Sequence, residues 1–169
     1  MISKLNCSMS SIEEIERHLL DLGAGNHKDN MVVMREFPHH FRVTLPQDIF
    51  MNLVFLQTSI VGKIVPSNED RTLGTVAQRA LSLGKEETNL GPNWNISEAI
   101  TRFDNQYPPH QDVVLTALVL RESRGSELRW GPWYLQDGSH RALAYCMAIL
   151  SGKFSYVPQG AFCAANKLL

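Results

Sequence analysis

The chain has 169 residues, 44% of them hydrophobic and 20% charged, which suits one globular domain with a sizeable core. Its net charge of -1 and pI of about 6.6 lack the basic excess with which proteins hold nucleic acid, so a nucleic-acid partner is not expected. The longest apolar runs fall far short of the roughly 20 residues that cross a bilayer, and the widely spaced Cys7, Cys146 and Cys163 suit reduced thiols in a cytoplasm better than a disulfide framework.

Ser11 and Glu14 have capping-box spacing, so a helix is expected to open at Ile12. Ile15, Leu19 and Leu22 share one face of it, Gly23 stops it, and His18 is expected on its solvated side. Residues 24–30 read as a polar loop with His27 exposed. Met31 to Met34 and Phe41 to Thr44 read as short strands. The adjacent His39 and His40 raise metal ligation, but neighbours on an extended chain point to opposite faces. No Cys or acid stands at zinc spacing, so no metal ligand set is read. Thr44 and Pro46 look like the cap and first turn of a helix through Ile49, Phe50, Leu53 and Val54. A buried strand is the competing reading, because so short an apolar run does not fix the period.

Ser59 to Val65 is β-branched and apolar, a candidate central strand ended by Pro66. Asn68, Glu69, Asp70 and Arg71 follow at its exit, where polar groups are often presented to a ligand. The plainer reading is a solvated loop in which Asp70 or Thr72 caps the next helix. That helix carries Val76, Ala80 and Leu83 on one face and ends at Gly84. Residues 85–94 form a loop of lid-like length, a short helix runs from Asn95 or Ser97 to about Phe103, and residues 105–110 turn again. Val113 to Leu120 suits a second central strand, with Arg121 and Glu122 at its exit. The excursion from Ser123 to Gly131 makes that strand antiparallel to the one carrying Asp137, which puts Glu122 at the opposite end from Asp137.

Trp133, Tyr134 and Leu135 are strand formers, Asp137-Gly138 is a turn signal, and Ala142 to Leu150 is almost wholly apolar, with Gly152 and Lys153 behind it. A buried helix therefore opens at Ser139-His140-Arg141. A helix amino terminus offers unpaired N–H groups and partial positive charge, and so attracts phosphate. Gly138 permits close approach, and a hydroxyl, an imidazole and a guanidinium add donors. The plainer alternative is that Asp137 or Ser139 simply caps the helix, with His140 and Arg141 on a solvated first turn. Phe154 to Val157 is expected as the last strand, and Gly160 to Leu169 as a small-residue tail without legible chemistry.

The Asp-Gly-Ser-His-Arg-Ala-Leu-Ala run, between an aromatic strand and a helix that leads to Val157-Pro158, resembles the ParB/sulfiredoxin superfamily. Gly62 to Arg71 is similar to that family's first strand and its exit, and Thr72 to Gly84 to the following helix, so the resemblance covers about residues 60–158. It implies an α+β fold in one small domain: a mixed sheet with packed helices, a nucleotide-binding core over 60–169 and an amino-terminal extension over 1–59. It further implies ATP and Mg2+ as ligands, phosphates held by Gly138, Ser139, His140 and Arg141, and catalytic roles for Asp137 and for Glu69 as general base.

Ser139 stands where sulfiredoxins carry their catalytic Cys, which removes thiolate chemistry. No room is read after Val157 for the DNA-binding region of chromosome-partitioning relatives. The expectation is an ATP-dependent phosphotransferase acting on a small hydroxyl-bearing metabolite. Two alternatives stay open: a nucleotide-responsive module that meets a protein partner through residues 1–59, and a metal-dependent nuclease that uses Asp137.

Overall fold

The computed structural model describes residues 5–23, 27–56, 64–65, 69–83, 118–124 and 132–169. In chain order these form β1 (Asn6–Met9), α1 (Ile12–Asp21), α2 (His27–Met34), β2 (His39–Leu45), α3 (Gln47–Met51), β3 (Val54–Phe55), α4 (Leu73–Ser82), β4 (Leu118–Glu122), β5 (Trp133–Asp137), α5 (Ser139–Leu150) and β6 (Gln159–Ala165). The strands make one mixed sheet in the order β1-β2-β6-β4-β5-β3. Its β6/β4 and β5/β3 pairs are parallel and its other pairs antiparallel. The fold is α+β in a single small domain, and residues before Leu56 supply three of its six strands.

Strand alternation sorts the core onto two faces. Leu118, Leu120, Leu135, Ala161 and Cys163 lie with residues of α3, α4 and α5 in one cluster, while Val119, Phe162 and Ala164 lie with Ile15 and Leu19 of α1 and Met31 and Met34 of α2 in another. The sheet therefore carries helices on both sides. Among the described residues no helix is long and apolar enough to cross a membrane.

Helix α1 forms as its sequence dictates. Ser11 accepts from the Glu14 amide at 3.2 Å, the Glu14 carboxylate accepts from the Ser11 amide, and Gly23 ends the helix at φ 64°. His18, however, does not sit in solvent: its ring packs 5.1 Å from Phe162 of β6. Residues 27–34, expected as loop and strand, are helix. Asn30, Met31 and Met34 are buried and Val32 is 61% exposed, a helical spacing that the run Met-Val-Val-Met conceals. The helix expected from Thr44 through Val54 divides instead. β2 runs to Leu45, Pro46 caps the single-turn α3, and Val54 and Phe55 pair with β5.

The largest correction is at the carboxyl end. Phe154 to Val157 is irregular, pinned by the Tyr156 hydroxyl donating to the Leu45 carbonyl at 2.6 Å and by the Val157 amide donating to the Tyr145 hydroxyl at 2.9 Å. The expected tail is instead β6, a central strand bonded on both edges to β2 and β4. Alanines have little strand propensity, but helices press on both faces here and small side chains let them approach. Of the proposed strand 59–65, only Ile64 and Val65 are described; both are buried and neither is in a strand. The expected loop, helix and turn across 85–110 lie outside the described residues, as does the segment 113–117 before β4.

Two outcomes follow from the position of β6. Truncation after Pro158 should abolish the cooperative thermal transition seen by circular dichroism, whereas removal of Lys167 to Leu169, which are exposed, should leave it in place. Phe162→Ala, which takes a ring 6% exposed from between α1 and the sheet, should cost about 3–5 kcal/mol in a urea titration.

Candidate functional site

β4 and β5 are antiparallel, with Glu122 opposite Trp133 and Val119 opposite Asp137, so Glu122 lies at the end of the pair away from the turn. There its carboxylate accepts from the Asn166 amide at 2.7 Å. The register slips between Val119 and Leu120, leaving a bulge at Gln136 immediately before Asp137. β5 then ends, Gly138 takes φ 87° and ψ 13°, and α5 begins at Ser139. The Gly138 carbonyl accepts the first helical bond from the Ala142 amide at 2.9 Å.

Two constraints make position 138 a glycine. Its φ is left-handed, and a Cβ there would stand 2.6 Å from Leu118 Cδ2 and 3.0 Å from Arg141 Nη2. The turn thus lies flat on β4 beneath the Arg141 guanidinium.

Helix α5 has no side-chain cap, so the capping alternative does not hold. The Asp137 carboxylate turns to Arg141 instead, with Nη2 donating to Oδ2 at 3.3 Å, and both side chains keep partial access to solvent. Nor is His140 on a solvated surface, since its Nε2 is shielded from water. Ser139 is half-buried. Asp137, Gly138, Ser139, His140 and Arg141 are therefore brought together at one helix start, as the sequence suggests. This start combines backbone donors, a guanidinium and one carboxylate, which is a chemistry for an oxyanion.

Glu69 is engaged by α4. Its partner among the described residues is Arg79 of α4, and both side chains are partly exposed. It shares the same end of the sheet, because β3 runs parallel to β5 while Val54 bridges Thr72 antiparallel, so the chain from Thr72 back to Glu69 runs toward the end where β5 gives way to Gly138. Asp70 caps. Its Oδ1 accepts from the Thr72 amide at 2.8 Å and its Oδ2 from the hydroxyls of Thr72 and Thr75, each at 3.0 Å.

No group of three metal-ligating side chains occurs among the described residues. The single carboxylate of Asp137 beside an anion-seeking helix start fits magnesium, which is commonly held by one or two carboxylates together with substrate phosphates. Thiolate chemistry has no support in α5. The Cys146 thiol is buried, and desolvation pushes it up to about 12 from an ordinary 9.0. Cys163 is raised in the same direction by complete burial.

Sequence reasoning missed a polar chain on the opposite face. Gln136 Nε2 donates to Asn30 Oδ1 at 2.8 Å, Arg121 Nε donates to Gln136 Oε1 at 3.1 Å, and the Arg121 guanidinium lies 5.1 Å from the Tyr134 ring centre. It joins α2 to β4 and β5, and α2 was itself illegible as a helix. No protein-family model, curated protein or solved structure matches the chain.

Gly138→Ala should destabilise by more than about 2 kcal/mol in urea unfolding, from left-handed strain plus overlap with Leu118. The thiols give a pH signature. Unfolded Cys146 ionises above its ordinary 9.0 while the folded thiol resists until about 12, so its share of stability is whole below 9 and drains as pH rises between those values. Cys146→Ala should flatten the alkaline loss of unfolding free energy by up to about 1.4 kcal/mol per pH unit, measured by urea titration at several pH values.

Proposed function

We propose that the amino terminus of α5 holds the phosphates of a nucleotide, ATP with magnesium, and that the protein transfers a phosphoryl group to a small hydroxyl-bearing metabolite. The observation that carries this reading is the start of α5: a twelve-residue helix without a side-chain cap, opened by a left-handed glycine and flanked by the Arg141–Asp137 pair. The likeness of Asp137 to Arg141 to the ParB/sulfiredoxin phosphate-binding turn supports it.

Phosphate oxygens accept from the first-turn amides and from Arg141, whose planar fork suits them better than a single carboxylate oxygen at 3.3 Å. Arg141 then exchanges Asp137 for phosphate, and Asp137 becomes free to meet a cation or the acceptor hydroxyl. Asp137 would hold magnesium here, and the ion would supply neutralisation of the charge that develops on the transferred group. Glu69 takes the acceptor proton, the acceptor oxygen bonds to the terminal phosphorus, the bond from that phosphorus to the bridging oxygen breaks, and ADP leaves. Glu69 releases Arg79 to do so.

That last requirement favours one second reading. With Glu69 held by Arg79 and Asp137 by Arg141, both candidate carboxylates are engaged by arginines, as suits a module that binds nucleotide without turnover and answers to a protein partner.

Calorimetric titration with ATP, ADP, CTP and GTP in magnesium separates the readings. Arg141→Ala should weaken nucleotide binding by about tenfold to a hundredfold, while Asp137→Asn should spare binding. Phosphoryl transfer to a hydroxyl metabolite, lost in Asp137→Asn and reduced about a hundredfold or more in Glu69→Gln, identifies the transferase. Binding without transfer to any hydroxyl compound identifies the module, and unchanged affinity in Arg141→Ala contradicts both.

A further inference from the structure

Arg71 immediately precedes Thr72, the residue that opens α4, and it is 8% exposed. Its Nε and Nη1 are both buried and meet no hydrogen-bond partner among the described residues. A guanidinium is a cation, so Arg71 carries charge into the interior with its Nε and Nη1 lacking a partner among the described residues. Such an arrangement is costly, and buried donors are nearly always paired.

The neighbouring carboxylates do not relieve it. Glu69 is held by Arg79, and both oxygens of Asp70 are engaged by Thr72 and Thr75. Arg121 is the internal contrast: it is 4% exposed, yet it meets Gln136, the Glu122 carbonyl and the Tyr134 ring.

Register locates Arg71. Its carbonyl accepts from the Phe55 amide at 3.1 Å, while the Leu73 amide donates to the Leu53 carbonyl at 2.7 Å, so these two bonds flank the isolated bridge between Val54 and Thr72. Leu53, Phe55 and Leu73 all belong to the core cluster that includes α5, and the two-residue alternation assigns Arg71 to the same side of the sheet. It stands two strand spacings, about 10 Å, from β5, displaced from Leu73 toward the end where α5 starts.

We infer that Arg71 is a second oxyanion-binding residue of the α5 site, engaging a charged group of the ligand that lies beyond the phosphate at Gly138 to Arg141. The inference rests on the reading of that turn as a phosphate site. The second group is either the far end of a phosphate chain or the acid group of a co-substrate, and in both cases an oxyanion supplies the partner that the fold withholds. Affinity is drawn partly from a cation already desolvated, which makes the site selective for ligands with two anionic groups over those with one.

The test uses the full chain with Arg71→Met, Arg71→Lys and Arg141→Gln, titrated with inorganic phosphate, tripolyphosphate, and citrate in the presence of ATP, with melting temperature recorded before ligand is added. Arg71→Met should lose about tenfold or more in affinity for tripolyphosphate or for citrate while binding inorganic phosphate as before, and Arg71→Lys should recover part of the loss. Loss on tripolyphosphate assigns the second group to the phosphate chain, and loss confined to citrate assigns it to a co-substrate acid. Without ligand, Arg71→Met should melt at or above the wild-type temperature, because it removes a buried charge that lacks a partner. Arg71→Met that melts lower and binds every probe like wild type would overturn the inference and make Arg71 structural. Arg141→Gln separates the two ideas: if it alone loses phosphate, the turn stands and Arg71 falls, and if it binds normally while Arg71→Met does not, the turn reading falls.

Discussion

The contact between Gly138 and Leu118 is the constraint on which the site depends. A chain leaving β5 must reverse and start a helix within one residue, and it does so by a left-handed glycine pressed onto the neighbouring strand. A side chain there would overlap the Leu118 side chain and crowd the Arg141 guanidinium. Because the glycine carries no capping group, and because Asp137 is drawn to Arg141, the first turn of α5 opens toward the end of the sheet without a side-chain cap. The turn is tight for packing reasons, and its first-turn amides are left without a side-chain cap as a consequence.

Packing around that turn divides labour between the two faces of the sheet. On one, α4 and α5 pack against each other over an apolar cluster, and Cys146 is buried to the point where its thiol does no acid–base work near neutral pH. On the other, α1 and α2 rest on Val119, Phe162 and Ala164, with the chain from Arg121 through Gln136 to Asn30 crossing from sheet to helix. Gln136 is the bulged residue directly before Asp137, so this network anchors the strand end from which the turn departs. Polar groups on the far face thereby contribute to holding the turn in place.

Legibility followed how local each signal was. The α1 capping box, the Asp137-Gly138 turn and the apolar run of α5 are satisfied by near neighbours in sequence, and the antiparallel pairing of β4 with β5 follows from a short connection. β6 was hidden because Gly-Ala-Phe-Cys-Ala-Ala is a strand by virtue of partners distant in sequence, in β2 and β4, with helices on both faces demanding small side chains. α2 was hidden for the opposite reason. Its run of Met and Val carries a β-like composition, and only the burial of Asn30, Met31 and Met34 in the fold reveals the helical spacing. At the site, Asp137 to Arg141 were legible as a unit. The pairing of Glu69 with Arg79, and the lack of a partner for Nε and Nη1 of Arg71 among the described residues, depend on tertiary placement and left no local mark.

The most direct test of the account is to follow backbone amide resonances during titration with ATP and magnesium. If phosphate is held by the start of α5, the amides of Ser139, His140 and Arg141 shift first and saturate together, with those of α1 and α2 unmoved. Amides at 139–141 that stay fixed through saturating nucleotide, or shifts confined to another part of the sheet, would contradict the assignment of this turn as the functional site.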